Sequence, residues 1–159
     1  MIHHISIPAE NPLHVANVFA EIWNGKVAPF PPNPGSYLVI ACDEYGTMIE
    51  IYPVGTEMIP GEGCEQATFV QNVLFSPFTA THAAISVPTS QEQIEKIAAR
   101  EGWRVLRCSR DSFFDVIELW IENKLLIELL PPEIAPQYVA FMQPQNLEKL
   151  FLTTATAAA

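Results

Sequence analysis

The sequence predicts an α+β fold built from two tandem β-α-β-β-β modules followed by a short C-terminal helical tail, and three observations carry that expectation. Met48-Ile49-Glu50-Ile51-Tyr52-Pro53 is repeated, residue class for residue class, as Leu126-Ile127-Glu128-Leu129-Leu130-Pro131. Glu50 follows His4 by 46 residues and Glu128 follows His82 by the same 46, so the two halves repeat with a period of 78. Each of these four residues also stands in an alternating stretch. Successive side chains of a strand point to opposite faces, so Ile5 and Ile7 oppose His4, Ile49 and Ile51 oppose Glu50, Ile85 and Val87 oppose His82, and Ile127 and Leu129 oppose Glu128.

The elements follow in order. Ile2 to Pro8 reads as the first strand. Asn11-Pro12 then supplies an N-cap and the residue favoured at the first helical position. Val15, Val18, Phe19 and Ile22 form the apolar stripe of a helix, ended by Gly25 in the left-handed conformation. His14 lies on this helix, outside the repeat, and His3 points to the helix-facing layer or to solvent. Lys26 to Ala28 is a short strand. Pro29 to Gly35 is too rich in proline to pair as a central strand, and reads as a loop or lid. Ser36 to Cys42 and Thr47 to Pro53 form a hairpin turning at Asp43 to Gly46. The first module is therefore 1–54.

Residues 55–78 hold glycines and prolines among acids without sustained periodicity, which marks a linker; Phe75 and Phe78 at its end are expected to pack. The second module, 79–131, restarts with a strand carrying His82. A capping box at Thr89-Ser90-Gln91-Glu92 opens a helix with Ile94, Ile97 and Ala98 on one face, and Gly102 ends it. Strands follow at Trp103 to Cys108, Phe113 to Ile121 and Lys124 to Leu130, the last two joined by a tight Glu122-Asn123 turn. In the tail, 132–159, Ala135 to Leu152 has room for one or two short helices, and Thr153 to Ala159 is small, polar and expected to fray.

Composition narrows the function. With 49% apolar and 16% charged residues over 159 positions, the chain can bury a substantial core, which excludes global disorder. A net charge of −10 repels nucleic acid. Arg100, Arg104, Arg107 and Arg110 bias only one helix and the next strand, and read as surface residues. Cys42, Cys64 and Cys108 are odd in number and have no C-x-x-C spacing, so neither a disulfide framework nor a zinc ribbon is indicated. No signal-like segment opens the chain and no apolar run reaches membrane-spanning length. A cytoplasmic protein with a small-molecule partner is expected.

On the face opposite the aliphatic residues stand two His and two Glu. Unpaired carboxylates among apolar neighbours are costly, and a shared metal ion resolves the cost. Tyr37, Tyr52 and Trp120 read as core or pocket wall, and Asp115 and Glu118 as edge charges that discourage aggregation.

Paired modules with His4-Ile-Ser-Ile, Met48-Ile-Glu50-Ile, His82-Ala-Ala-Ile-Ser-Val and Leu126-Ile-Glu128-Leu in register resemble the vicinal oxygen chelate superfamily of glyoxalases, bleomycin-resistance proteins and extradiol dioxygenases. The resemblance covers residues 1 to about 131. It implies modules curled into a half-barrel cup, with one divalent ion (Zn, Ni, Co, Mn or Fe) held by His4, Glu50, His82 and Glu128. It further implies that Glu50 or Glu128 acts as base in isomerase, epimerase or lyase chemistry through a metal-stabilised enediolate. Modules of this superfamily pair within one chain or between two, so a homodimer is among the expectations. The positions that match the glutathione grip of glyoxalase I hold Pro8 and Val54, and that grip is absent. A ring-cleaving dioxygenase needs two His and one Glu, so a second Glu is surplus. The competing class is a non-catalytic, bleomycin-resistance-like binder in which the Pro-rich loop closes over an apolar ligand.

Overall fold

Two four-stranded sheets repeat one strand order. The first runs β1-β4-β3-β2, from β1 (His4–Ala9), β2 (Lys26–Pro29), β3 (Tyr37–Ile40) and β4 (Met48–Pro53). A two-stranded antiparallel hairpin, β5 (Thr56–Ile59) and β6 (Thr68–Gln71), comes next. The second sheet runs β7-β10-β9-β8, from β7 (Ala83–Ser86), β8 (Arg104–Arg110), β9 (Phe114–Ile121) and β10 (Leu125–Leu130). Helices α1 (Pro12–Trp23) and α2 (Gln91–Glu101) follow the first strand of each sheet, and α3 (Ala135–Phe141) follows β10. This computed structural model describes residues 2–60, 62, 65–76, 78–110, 113–143 and 146; Cys64 and Thr153 to Ala159 lie outside the described residues. Among them, no helix is long and apolar enough to cross a membrane.

Strand alternation assigns the layers as the sequence predicts. Ile7, Ile49, Ile51, Val87, Ile127 and Leu129 are buried in one apolar cluster with Val15, Phe19 and Ile22 of α1 and Ile94 and Ile97 of α2. The helices also touch each other. Arg100 forms an ion pair with Glu21 at 2.7 Å, and His14 Nε2 lies 2.7 Å from Glu101. At the far end, Glu122 accepts from the backbone N–H groups of Glu10 and Asn11, at 2.6 and 2.9 Å. The β9–β10 turn of one module thus anchors the start of the other module's helix. Its residues Glu122 and Asn123 both have positive φ, as a tight turn requires.

Several local expectations are corrected. Asn24, not Gly25, takes the left-handed position after α1, at φ 51°. Gly25 is needed for another reason: a Cβ there would lie 2.3 Å from the Ile40 carbonyl oxygen. Ser90, not Thr89, caps α2, and the Thr89 hydroxyl instead donates to the Ile22 carbonyl of the first module. The linker holds the β5–β6 hairpin, which its sequence hides because Thr56–Ile59 and Thr68–Gln71 are too short to show a period. Phe75 and Phe78 remain 42% and 63% exposed instead of packing away. Asp115 and Glu118 are not edge charges, since β9 lies between β8 and β10.

Gly25→Ala is expected to destabilise the protein by about 1–3 kcal/mol, as overpacking against backbone does. Asn24→Gly, which relieves a positive φ, is expected to be near neutral. Urea unfolding of the two variants measures both.

Candidate functional site

Glu50 is one of two buried polar residues among those described, 8% exposed, on the sheet face turned away from the helices. Register places it beside Ser6 of β1 and Leu38 of β3. The Ser6 hydroxyl donates to Glu50 Oε2 at 2.8 Å, and the Tyr52 hydroxyl, two residues along the same strand face, donates to the same oxygen at 2.5 Å. Oε1 faces a different group, with His4 Nε2 4.0 Å away. One carboxylate oxygen is therefore anchored by two hydroxyls and the other is left for an imidazole or a ligand. Burial, followed by the hydrogen bond to Glu50, pushes the Tyr52 phenol up to about 12, so it stays a donor throughout the physiological range.

The second module treats its acid differently. Arg110, at the end of β8, donates from Nη2 to Glu118 Oε1 at 2.8 Å and also to Glu128 Oε1. Trp120 Nε1 adds a longer contact of 3.4 Å to Glu118 Oε2. The Arg110 hydrogen bond holds the Glu118 carboxyl below its ordinary value of 4.5, against the opposing effect of burial. Burial chiefly, with Glu118 next to it, pushes the Cys108 thiol up. His82 precedes β7 instead of lying on it as expected. It is exposed, with Nδ1 3.1 Å from the Ala80 carbonyl oxygen. The strand begins only at Ala83, where pairing to β10 starts.

Both polar faces are roofed. Phe69 of the hairpin stands edge-on to Tyr52 at 5.5 Å and to Phe30 at 6.2 Å, so the Pro-rich loop and the hairpin meet over Tyr52. Over the second sheet, Tyr138 and Phe141 of α3 pack on Phe114 at 5.1 and 5.2 Å. Val116 and Leu130 share the face of Glu118 and Glu128 by alternation, and are 0% and 3% exposed although they lie outside the main core cluster. A cavity of about 210 Å³ opens against Ser6, Pro8, Tyr52, Thr56 and Met58. A second, of about 160 Å³, lies where His4, Ile5 and Met48 of one sheet face Ala83, Ala84 and Ile85 of the other.

Of the four residues expected to share an ion, the structure brings His4 and Glu50 together. It places Glu128 with Arg110 and leaves His82 at the mouth of β7. Among the described residues, no three His, Cys, Asp or Glu side chains converge closely enough to hold a metal ion. The donor chemistry of the first pair fits a divalent cation: a buried carboxylate has one oxygen free, beside an imidazole nitrogen.

The sequence matches no family model and no curated protein. Solved structures do match. A fosfomycin resistance protein, FosX, from Listeria monocytogenes superimposes with a TM-score of 0.51 at 13% identity, covering 82% of this chain and 92% of that one. A variant of that protein complexed with Mn(II) and 1S,2S-dihydroxypropylphosphonic acid gives 0.52 at 13% identity, covering 81% and 87%. A structure from the mobile metagenome of V. Pseudocholerae gives 0.50 at 11% identity, covering 83% and 94%. The chain has the vicinal oxygen chelate fold. The order β1-β4-β3-β2, repeated as β7-β10-β9-β8, is the tandem half-barrel arrangement of that fold, with a short C-terminal helix added.

Within the vicinal oxygen chelate frame, sequence reasoning missed two residues. Tyr52 reads as pocket wall, yet it bonds Glu50, and its i+2 spacing on one strand is the signal that finds it. Arg110 reads as surface, yet it is half-buried and turned toward two acids. Its signal is the fixed alternation of β8 against Glu118 on β9, which only the register reveals.

A carboxylate whose folded pKa is depressed stabilises the fold above its unfolded value and loses that contribution as pH falls through the folded value. Glu118→Gln is therefore expected to cost most at neutral pH, with the gap to the unaltered protein narrowing as pH drops below 4.5. Denaturant unfolding at a series of pH values checks it. Tyr52→Phe, which removes one of two donors from a buried acceptor, is expected to cost about 1–3 kcal/mol at neutral pH.

Proposed function

We propose that this chain is a metal-dependent enzyme acting on a small carbonyl-containing substrate, by isomerisation, epimerisation or lyase chemistry beside the carbonyl. The observation that carries the reading is the one-sided anchoring of Glu50, with Oε2 held by Ser6 and Tyr52 and Oε1 facing His4 at 4.0 Å. His4 and Glu50 would hold the ion from the first module, and His82 and Glu128 would complete the set from the second. A homodimer, in which such pairs meet across an interface, belongs to this reading.

A divalent ion bound there supplies Lewis acidity toward a carbonyl oxygen. The chain's own residues do the rest. Glu50 or Glu128, whichever is not engaged with the ion, would take a proton from the carbon next to the carbonyl, while Ser6 and Tyr52 hold Glu50 Oε2. Neutral Tyr52 does not compete for that proton, since it stays protonated far above neutral pH. The cavity beside Ser6, Tyr52 and Thr56, of about 210 Å³, lies below the roughly 300 Å³ at which pockets for drug-sized ligands begin, so a substrate lodged there would have few heavy atoms. FosX, which shares the fold, was crystallised with Mn(II), which makes manganese the first ion to test.

One observation favours a second reading, a non-catalytic small-molecule binder. Arg110 already neutralises Glu128, so the second acid does not require an ion in order to remain folded inside.

Elemental analysis of untagged protein purified without chelators separates the two readings. For the enzyme, a divalent ion at about one per site is expected. His4→Ala and His82→Ala should each weaken Mn²⁺ binding beyond the roughly 10 to 100-fold typical of outer-sphere losses. Both variants should still unfold cooperatively, because the aliphatic layer behind the strands does not depend on the ion. Unchanged ion binding in either variant rules out a joint site.

A further inference from the structure

Three hydroxyls line the cavity of about 210 Å³ beside Pro8 and Met58, those of Ser6, Tyr52 and Thr56, and all three have committed their protons to the protein. The Ser6 and Tyr52 hydroxyls donate to Glu50 Oε2 at 2.8 and 2.5 Å. The Thr56 hydroxyl donates to the Pro53 carbonyl oxygen at 2.7 Å. A hydroxyl has one proton to give and further lone pairs to offer, and neither a carboxylate nor a backbone carbonyl can donate in return. Toward the cavity these groups therefore present acceptors alone. The Met58 sulfur is a weak acceptor as well, and among the described residues no Lys or Arg lines the space.

A carbonyl, carboxylate or phosphate oxygen placed in such a space meets no donor, and an anion there also faces Glu50 without a counter-charge. A primary ammonium meets the opposite conditions. It carries three donors, no acceptor and the charge that a carboxylate attracts. We propose that the cavity walled by Ser6, Tyr52 and Thr56 is a subsite for the primary ammonium group of a small amine. The proposal rests on the functional reading above and names its substrate class: a small amino-carbonyl compound, whose ammonium lodges among the three hydroxyls while its carbonyl stays outside them. The formal net charge of −10 favours the approach of such cations. Met58 lines the cavity and is 57% exposed, so a substitution there changes the charge of the wall with little effect on packing.

Saturation-transfer NMR titration of the full chain, with a chelator present, tests this with propylammonium, propan-1-ol and propanoate, three probes of one shape and different charge. Propylammonium is expected to bind about tenfold more tightly than propan-1-ol, the factor that corresponds to charge assistance of a hydrogen bond, and propanoate is expected not to bind. Met58→Lys sets a like charge against the ammonium and is expected to weaken propylammonium by about tenfold or more. Thr56→Val removes one acceptor at nearly constant shape and is expected to weaken it about tenfold, whereas Thr56→Ser restores the oxygen and the affinity. If Thr56→Val does not unfold cooperatively, Met58→Lys and Thr56→Ser carry the test. No binding of propylammonium, equal binding of propan-1-ol or propanoate, or propylammonium binding unchanged in folded Met58→Lys overturns the subsite. Each of these leaves the metal reading to be decided by elemental analysis. A chain that holds no ion yet binds the three probes in the expected order keeps the subsite and loses the metal-dependent reaction.

Discussion

A carboxylate carried on a strand whose other face is aliphatic must find its partners on its own face, and this constraint organises both modules. Ile49 and Ile51 commit β4 to the helices, and Ile127 and Leu129 do the same for β10. Glu50 and Glu128 are thereby fixed on the opposite face, where neither can reach the core nor escape fully to water. Everything that distinguishes the site follows from how each acid is answered. In the first module the answer is local: Ser6 from the neighbouring strand and Tyr52 from the same one. In the second it comes from the far side of the sheet, two strands away, through Arg110 on β8.

The duplicated frame holds its strand order while the partners of its two acids differ. Ser6 pairs with Glu50, whereas the position paired with Glu128 is Ala84, which has no hydroxyl to offer. The loss of that donor and the presence of Arg110 belong together, because a half-buried acid without hydroxyl donors needs charge compensation. The first module keeps an acid with an open oxygen; the second keeps one that is electrically closed.

Much of the frame was legible in the sequence because it depends on local periodicity and spacing. The 46-residue interval from His4 to Glu50, repeated from His82 to Glu128, is preserved because each module must run through the same strand, helix and hairpin before returning. Faces were legible for the same reason: alternation alone separates Ile7 and Ile51 from Ser6 and Glu50. What was not legible depends on register between distant strands or on short elements. Arg110 meets Glu118 and Glu128 only because β8, β9 and β10 align as they do, and no local pattern records that alignment. The β5–β6 hairpin is four residues a side, too few for a period, and its role appears only through Phe69 over Tyr52. His82 was placed one step too far into its strand, since pairing begins at Ala83.

The hairpin and α3 enter the chain at matching points, each directly after the strand that carries its module's acid. One is a pair of strands and the other a helix, yet each lays aromatic rings over the face beside that acid. Neither contributes a residue to the shared apolar cluster beneath the sheets. The walls of the cup are thus appended segments on a duplicated floor. Replacing the hairpin while retaining β4 through Pro53 would reshape the space over Tyr52 and leave the apolar cluster beneath the sheets untouched, so the roof of this face and the core that folds the chain are separable parts.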